Sequence, residues 1–284
     1  MKILVTHINP HLDDIAGIWL FKKFHPEFKE AKIEFISASR DAAAASESKE
    51  RVFVGTGGGR FDEHKEGLDT CAGSLVYEFL KEKNYIPDDE ITRKALDKLT
   101  EWNRLIDTGK APDSQFDEFS IQAFIRTRDN SPETSEKSVE LGIEILDRML
   151  KVLKRREQSI RDWEKKVEFQ TKFGRSFAIV SETIDREFCR EQACPPSAGA
   201  SGDCRRGGDL FLMYHPKYRS VQFFTPSFEI DLEPIYDQVK ALDPEASWFL
   251  HQSHHMVICG SSSAPDSKPT KLSFEQLIKV VKSL

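Results

Sequence analysis

The sequence predicts an α/β protein: a parallel sheet flanked by helices, then a long helical linker, then a smaller α+β domain. Three observations support this prediction. Residues 1–110 alternate short apolar runs with amphipathic segments, which is typical of parallel strands covered by helices. Residues 131–166 hold apolar side chains at helical spacing among many charges. Short strand-like runs return after about residue 171. We therefore expect a first domain over 1–130, a linker over 131–170 and a second domain over 171–284.

The N-terminal elements follow from apolar runs and their periodicity. Ile3, Leu4 and Val5 form a short apolar run, which is typical of a buried strand. The predicted strands of this half are 2–6, 33–37 and 51–54. The predicted helices are 13–25 and 70–83, which have apolar residues at helical spacing, and 88–106.

The long charged segment begins as a helix and leads into the second domain. Ser131, Pro132 and Glu133 form a helix start, with proline at the first helical position. We expect one or two long helices here. The predicted strands of the second domain are 176–181, 210–214, 221–225, 248–251 and 255–259. Its predicted helices are 232–242 and 273–284.

Within the second domain, residues 190–208 are rich in Gly, Ser, Pro, Cys and Arg. Cys189, Cys194 and Cys204 raise the alternative of a partial zinc knuckle. Because a structural zinc site needs four ligands and no well-spaced fourth is present, a flexible insertion is the preferred prediction.

Composition excludes several classes of protein. The chain has 284 residues and a formal net charge of −6, so nucleic-acid binding would need a local basic groove rather than a global basic field. No apolar run approaches the roughly 20 residues that span a bilayer. The five cysteines are odd in number and irregularly spaced, which does not indicate a disulfide framework. With no signal-peptide pattern at the N-terminus, we expect a cytoplasmic protein without membrane contact.

The first predicted strand is followed by a cluster of metal-ligand residue types. His7, His11 and Asp13 occur within seven residues, just past the strand's carboxyl end, where open α/β sheets place their ligands. Imidazole and carboxylate donors together suit Mn²⁺, Fe²⁺ or Zn²⁺, and oxygen-rich variants suit Mg²⁺. Asp13 or Asp14 alone would be explained as the N-cap of the first helix. The whole cluster favours a metal site.

A second cluster follows the third predicted strand. Residues 55–59 read GTGGG, a loop that allows close backbone approach to a ligand but lacks the ending of a P-loop. Asp62, Glu63 and His64 come directly after it. We interpret the two clusters as halves of one metal site. Asp107, at a predicted helix end before a glycine, is a further candidate ligand, with a C-terminal turn residue as the alternative.

These motifs together resemble the DHH phosphoesterase superfamily, and within it the MYG-type exonuclease branch most closely. The first motif, THxxPHxDD, is similar to the superfamily's first motif, and the segment 62–64 is similar to its Asp-His-His. Arg40 and Asp41 after the second strand, and the glycine loop, resemble the MYG-type branch. The likeness covers roughly residues 1–110, and residues 171–284 resemble the family's smaller substrate-binding domain only in topology.

The resemblance implies a two-metal site and a substrate-facing histidine. Its implied metal ligands are His7, His11, Asp13, Asp62, Glu63 and Asp107. His64 would face the substrate phosphate, and His64 and Asp62 are the implied catalytic residues. Gly58 and Arg60 are predicted to contact substrate. Two Mn²⁺ ions, or two Mg²⁺ ions, are the expected cofactors.

Two departures from the family pattern concern this site. Glu63 stands where the family has its first histidine, and Gly55 stands where the family has a bridging aspartate. Asp41 or Asp62 would have to substitute, or the site would hold one metal, or the protein would be inactive.

A third cluster lies near the C-terminus. Three of the chain's eight histidines occur over 251–255, followed by a glycine–serine loop at 260–263. The predicted substrate-binding residues of this domain are His251, Ser253, Gly260 and Ser261. An exposed strand pair with a serine loop is the alternative interpretation.

Three functional hypotheses remain open from sequence. The first is a metal-dependent phosphoesterase acting on short single-stranded nucleic acid or a nucleotide, with a homodimer as one expected assembly. The second is a catalytically lapsed relative that binds a nucleotide or metal. The third is a different reaction on similar metals, such as deacetylation.

Overall fold

A computed structural model describes residues 1–37, 48–64, 69–125, 131–193, 208–261 and 263–284. Over these residues the predicted α/β class is confirmed: a parallel sheet with helices, one long helix, and a mixed sheet with helices of its own. The chain divides into two compact units, Met1–Lys154 and Arg155–Leu284. No helix of the described residues is long and apolar enough to cross a membrane.

The sheet of the first unit has three parallel strands. They are β1 (Ile3–His7), β2 (Lys32–Ile36) and β3 (Arg51–Phe53), in the order β2-β1-β3. All three were predicted from sequence, and only their ends differ. Because β1 is central and pairs in parallel with both neighbours, the carboxyl ends of all three strands lie at one edge of the sheet.

Among the described residues, five α-helices belong wholly or partly to this unit. They are α1 (Leu12–Phe24), α2 (Ala72–Glu82), α3 (Glu90–Asp107), α4 (Ile121–Ile125) and α5 (Pro132–Trp163). Only the short α4 was missed by the sequence analysis. Helix α1 is buried from Leu12 to Phe21, so nearly all of its surface packs against protein. A side chain at Gly73 of α2 would meet Ala16 at 3.1 Å and the Asp13 carbonyl oxygen at 3.3 Å. Glycine there allows the start of α2 to approach the start of α1 closely.

Helix α5 is one continuous helix, and its N-terminal part belongs to the first core. Val139, Leu146 and Leu150 are buried in the same apolar cluster as α1. The Trp19 indole Nε1 of α1 donates a hydrogen bond to Asp147 of α5 at 2.9 Å. The boundary between the two units, after Lys154, falls inside α5 and within the predicted linker of 131–170.

Substitution of Trp19 by phenylalanine is expected to lower the free energy of unfolding of the first unit by about 1–2 kcal/mol. The change removes the indole donor and leaves a small cavity at a position that is 1% exposed. Urea denaturation measures the effect. Trp102→Phe is the matched control, because Trp102 is only partly buried beside the same core. Equal destabilisation by the two variants would contradict the assigned contact.

The second unit contains a six-stranded mixed sheet. Its strands are β4 (Val167–Thr171), β5 (Gly174–Val180), β6 (Leu210–His215), β7 (Ser220–Phe224), β8 (Trp248–Leu250) and β9 (Met256–Cys259). The order is β4-β5-β6-β7-β9-β8, with β5–β6 parallel and the other pairs antiparallel. Strand β4 was not predicted. It is a mostly exposed edge strand, so its sequence carries little hydrophobic signal.

Helices pack on both faces of this sheet. They are α6 (Arg186–Ala193), α7 (Glu233–Leu242) and α8 (Phe274–Lys282). Leu212 and Phe223 pack in one cluster with residues of α7 and α8, and Phe177 and Phe211 pack in another with Cys189 of α6. Helix α6 was not predicted and includes the start of the expected insertion. Cys194, Cys204 and residues 194–207 of that insertion lie outside the described residues.

Candidate metal centre

The two predicted clusters meet at the carboxyl edge of the three-stranded sheet. His7 is the last residue of β1, and the chain turns through Asn9, which has a positive φ of 59°, before α1 begins. The backbone N–H of Asn9 donates to the Ser135 hydroxyl at 2.8 Å, which anchors this turn. From β3, the glycine loop leads to Asp62, Glu63 and His64 at the same edge.

Asp13 lies between the N-terminal ends of two helices. It is in the first turn of α1, and its Oδ2 accepts a hydrogen bond from the backbone N–H of Ala72, the first residue of α2, at 3.1 Å. Helix N-termini stabilise negative charge. The Asp13 residue is nevertheless only 3% exposed, so its carboxylate is held where water cannot solvate it well.

Asp13, Glu63 and Asp107 form the first donor group of the centre. One carboxylate oxygen from each lies within 4.8 Å of those of the other two. Asp107 is the last residue of α3, and Glu63 follows the glycine loop. The Glu63 side chain is 9% exposed, and its Oε2 has no hydrogen-bond partner among the described residues. Such a buried oxygen is costly unless a ligand satisfies it.

His11, Asp13 and Asp14 form a second donor group with the same 4.8 Å limit. Asp13 therefore belongs to both groups. Two overlapping donor groups that share a carboxylate could hold two cations close together. The fit of a divalent cation is supported by the donors themselves, since carboxylate oxygens and an imidazole nitrogen suit Mn²⁺ and related ions.

The electrostatics of the cluster also favour a bound cation. Burial, together with the charges of Asp14, Asp107 and Glu63, raises the pKa of Asp13 well above its ordinary value. Burial is also the main reason why the pKa of Glu63 rises to about 7. The pKa of Asp107 is raised by partial desolvation and by the charge of Asp14. These carboxylates repel one another at neutral pH, and a divalent cation would remove that repulsion.

His7 contacts Asp14 at the edge of the cluster. Its Nε2 lies 2.9 Å from Asp14 Oδ2, and its Nδ1 lies 2.8 Å from the Ile8 carbonyl oxygen. Burial opposes protonation of the imidazole, but the hydrogen bond and charge of Asp14 outweigh it and raise the pKa of His7 to about 9. In the metal-free protein, His7 and Asp14 therefore form an ion pair.

Asp62, predicted as a metal ligand and catalytic residue, forms a third donor group with Glu63 and His64 and also organises the glycine loop. Its Oδ2 accepts from the backbone N–H of Gly58 at 2.6 Å, and its Oδ1 accepts from the backbone N–H of His64 at 3.0 Å. The His64 Nδ1 also lies 3.0 Å from Oδ1. Burial would raise the pKa of Asp62, but these hydrogen bonds lower it. His64 itself is exposed and lies beside Glu63, at 3.1 Å from Nδ1 to Oε1.

A cavity of about 480 Å³ opens over the centre. Its lining includes five of the predicted site residues, namely His11, Asp13, Glu63, His64 and Asp107. Arg60 is not part of this lining. Its guanidinium pairs with Glu82 at 2.9 Å and lies over the ring of Phe79. Glu82 is the last residue of α2, whereas Asp13 contacts Ala72, the first residue of α2. A side chain at Gly58 would meet nothing within 4 Å.

The predicted substrate-binding residues of the second unit do not form one cluster. His251 and Ser253 bond to each other at 2.8 Å and line a cavity of about 670 Å³ together with Arg186 and Arg190. Ser261 lines a different cavity of about 510 Å³. Gly260 has a positive φ of 72°, and a Cβ at this position would meet the Cα of Ser220 at 3.3 Å.

Two residues of the centre were not among the predicted site residues. Asp14 was assigned only a helix-capping alternative, and its carboxylate reaches the centre. Asn103 lines the cavity and is 1% exposed, and neither polar atom of its side chain has a hydrogen-bond partner among the described residues. Asn103 and Asp107 are four residues apart on α3, so helical spacing from Asp107 was the signal that could have identified it. Asp41, proposed from sequence as a substitute ligand, lies outside the described residues.

Comparison with known proteins leaves the family unassigned. No protein-family model matches the chain, and no curated protein matches it. Among solved structures, an uncharacterized protein from Helicobacter pylori is similar over 100% of both chains, with 12% identity and a TM-score of 0.28. A DHH domain from a member of a family of ribosomal proteins is similar over 99% of this chain and 86% of that one, with 12% identity and a TM-score of 0.32.

A third similar structure is RecJ from Thermus thermophilus in complex with Mg²⁺. The likeness covers 99% of this chain and 49% of RecJ, with 11% identity and a TM-score of 0.32. Likenesses at these TM-scores carry no weight for function, and the proposed function rests on the geometry of the site.

Proposed function

We propose that this protein is a metal-dependent phosphoesterase whose centre binds two divalent cations, Mn²⁺ or Mg²⁺, in the first unit. The observation that supports this most directly is the shared position of Asp13 in two overlapping donor groups. The buried Oε2 of Glu63, which has no hydrogen-bond partner within the described part of the chain, supports it independently, because a bound cation would supply a partner.

The residues that would hold the cations include His11, Asp13, Glu63 and Asp107. Cations so held can activate water as a nucleophile and neutralise charge that develops on a phosphoryl group. The protein contributes rigid placement: two helix N-termini hold Asp13, and the end of α3 presents Asp107. His64, exposed at the cavity, is suited to hydrogen bonding with a phosphate oxygen.

Short single-stranded oligonucleotides or nucleotides are the substrates that we propose. The cavity over the centre is large enough for a nucleotide phosphate and sugar, and Thr70, Asn103 and Gln122 supply polar lining. The net charge of −6 does not favour tight binding of duplex nucleic acid. Assignment to the MYG-type exonuclease branch of the DHH superfamily belongs to this proposal and rests on the sequence motifs.

The test is hydrolysis of bis(4-nitrophenyl) phosphate and of 5′-labelled oligonucleotides of two to six nucleotides, with Mn²⁺ or Mg²⁺ and with EDTA. We expect turnover that needs the metal and that falls at least about 100-fold in His11→Ala, which corresponds to about 3 kcal/mol of transition-state stabilisation. Asp97→Asn is the matched control, because Asp97 bonds Tyr77 outside the centre.

Each outcome of this test discriminates between the hypotheses. Metal binding without turnover on any phosphoester would support a lapsed binding protein. Release of acetate from N-acetyl substrates, without phosphoester hydrolysis, would support a deacetylase. Absence of both metal binding and turnover would refute the proposed function.

A further inference from the structure

Gly55 and Asp14 share one volume at the edge of the sheet. A Cβ built on Gly55 would lie 1.5 Å from Asp14 Oδ1 and 2.7 Å from Asp14 Cγ. The Asp14 carboxylate therefore fills the space into which a side chain at position 55 would project. Gly55 also has a positive φ of 64°. Two separate features, the backbone conformation and the occupied space, both favour glycine at this position.

The Asp14 carboxylate is held in this space through only one of its oxygens. Oδ2 accepts the backbone N–H of His11 at 2.7 Å and lies 2.9 Å from His7 Nε2. Oδ1 is buried and has no hydrogen-bond partner among the described residues, in a side chain that is 2% exposed. Burial of a carboxylate oxygen without a hydrogen-bond donor costs free energy of folding, so this geometry indicates that a bound ligand would contact Oδ1.

The position of Asp14 relative to the other carboxylates identifies the class of that ligand. Asp14 has a ligand atom within 4.8 Å of those of His11 and Asp13. Asp13 in turn belongs with Glu63 and Asp107. A fourth carboxylate beside three others favours a divalent cation over a neutral or anionic ligand, since a cation lowers the repulsion among them.

We propose that Asp14 Oδ1 is a ligand of the metal centre, and that Gly55 keeps the space in which this ligand sits. The inference rests on the metal centre of the proposed function and adds to it Asp14, which was not among the predicted ligands. It also accounts for the glycine at 55, where the DHH resemblance leads one to expect a carboxylate. The first turn of α1 supplies that carboxylate instead of the loop after β3.

The steric part of the proposal is tested by Gly55→Ala against Gly109→Ala. Both glycines have nearly the same positive φ, 64° and 66°, so the backbone cost of alanine is similar. A Cβ at Gly109 would meet nothing within 4 Å, whereas one at Gly55 would displace Asp14. Mn²⁺ binding is measured by calorimetric titration and by metal analysis after dialysis. We expect Gly55→Ala to weaken binding of at least one ion by about tenfold or more, and Gly109→Ala to bind as wild type.

Two further variants test the ligand role itself. Asp14→Asn keeps the shape and the Oδ2 hydrogen bond but removes the charge, and we expect it to lose at least one Mn²⁺ per chain. The double variant Asp14→Ala with Gly55→Asp places a carboxylate in the same volume from the other side. We expect it to recover part of the Mn²⁺ affinity that Asp14→Ala alone loses.

Wild-type stoichiometry and affinity in both Gly55→Ala and Asp14→Asn would overturn the proposal. If Gly55→Ala does not fold, as judged by circular dichroism, Asp14→Asn decides the question alone. Failure of this inference is distinguishable from failure of the metal centre. If only this inference is wrong, Asp13→Asn loses Mn²⁺ while the Asp14 variants keep it. If the metal centre itself is wrong, the wild-type protein binds no Mn²⁺.

Discussion

Asp13→Asn is expected to abolish Mn²⁺ binding at both positions of the centre and, at the same time, to make the metal-free protein more stable. Asp13 belongs to both donor groups, and an amide supplies no charge to either cation. In the metal-free protein, burial and the charges of Asp14, Asp107 and Glu63 raise the pKa of Asp13. A carboxyl whose pKa is higher in the folded state destabilises the fold once pH exceeds its unfolded pKa. Asparagine removes this cost at neutral pH.

The two effects are measured separately. Phosphoester hydrolysis with Mn²⁺ should fall at least about 100-fold, because several kcal/mol of charge stabilisation are lost. Thermal unfolding in EDTA at pH 7.5 should show a midpoint a few degrees higher than wild type. An amide oxygen can still accept the Ala72 N–H, so the packing of α2 on α1 is retained. A variant that keeps two Mn²⁺ ions, or that melts well below wild type in EDTA, would contradict the assignment. The control is Asp97→Asn on α3.

The stability of the metal-free protein is expected to fall as pH rises from about 4.5 to 9, and bound Mn²⁺ is expected to reverse this trend. Burial raises the pKa of Glu63 from 4.5 to about 7, so its contribution to stability is lost as pH rises through that interval. Burial lowers the pKa of His7, but the Asp14 carboxylate outweighs this effect and raises it from 6.5 to about 9. The stabilising His7–Asp14 ion pair is therefore lost as pH rises from about 6.5 to 9. At about 1.4 kcal/mol per pKa unit, each group changes the free energy of unfolding by up to about 3 kcal/mol.

Urea denaturation in EDTA across this pH range measures the trend, and two variants separate its parts. Glu63→Gln should remove the fall in the free energy of unfolding below about pH 7 and leave the fall at higher pH unchanged. His7→Gln should flatten the part between about 6.5 and 9. With saturating Mn²⁺ the carboxylates stay ionised, so stability should rise with pH until the ligands are fully deprotonated. A metal-free protein whose stability increases between pH 5 and 7, with Glu63→Gln unchanged from it, would contradict the assigned environment of Glu63.

The elements that the sequence predicts well are those with a strong hydrophobic pattern. The strand at 2–6 and the helix at 70–83 are present with small shifts at their ends. Strand β4 and helix α6 were missed because they are short and bury few side chains, Phe169 in β4 and Phe188 and Cys189 in α6. The linker shows a different difficulty. An amphipathic pattern predicts a helix but does not identify the element that its apolar face contacts. The packing of Val139 and Leu146 in the first core was therefore not predicted.

The sequence alone, through residue types and their order, determined the α/β class and placed His11, Asp13, Glu63 and Asp107 as candidate ligands. These are properties of local pattern, and parallel strands bring such loops to one edge. Only the tertiary structure decided what each side chain does there. It showed that Asp62 bonds within its own loop and that Arg60 pairs with Glu82 away from the cavity. It also showed that Asp14 fills the space beside Gly55. Such choices depend on distances between residues far apart in the chain, which sequence spacing does not encode.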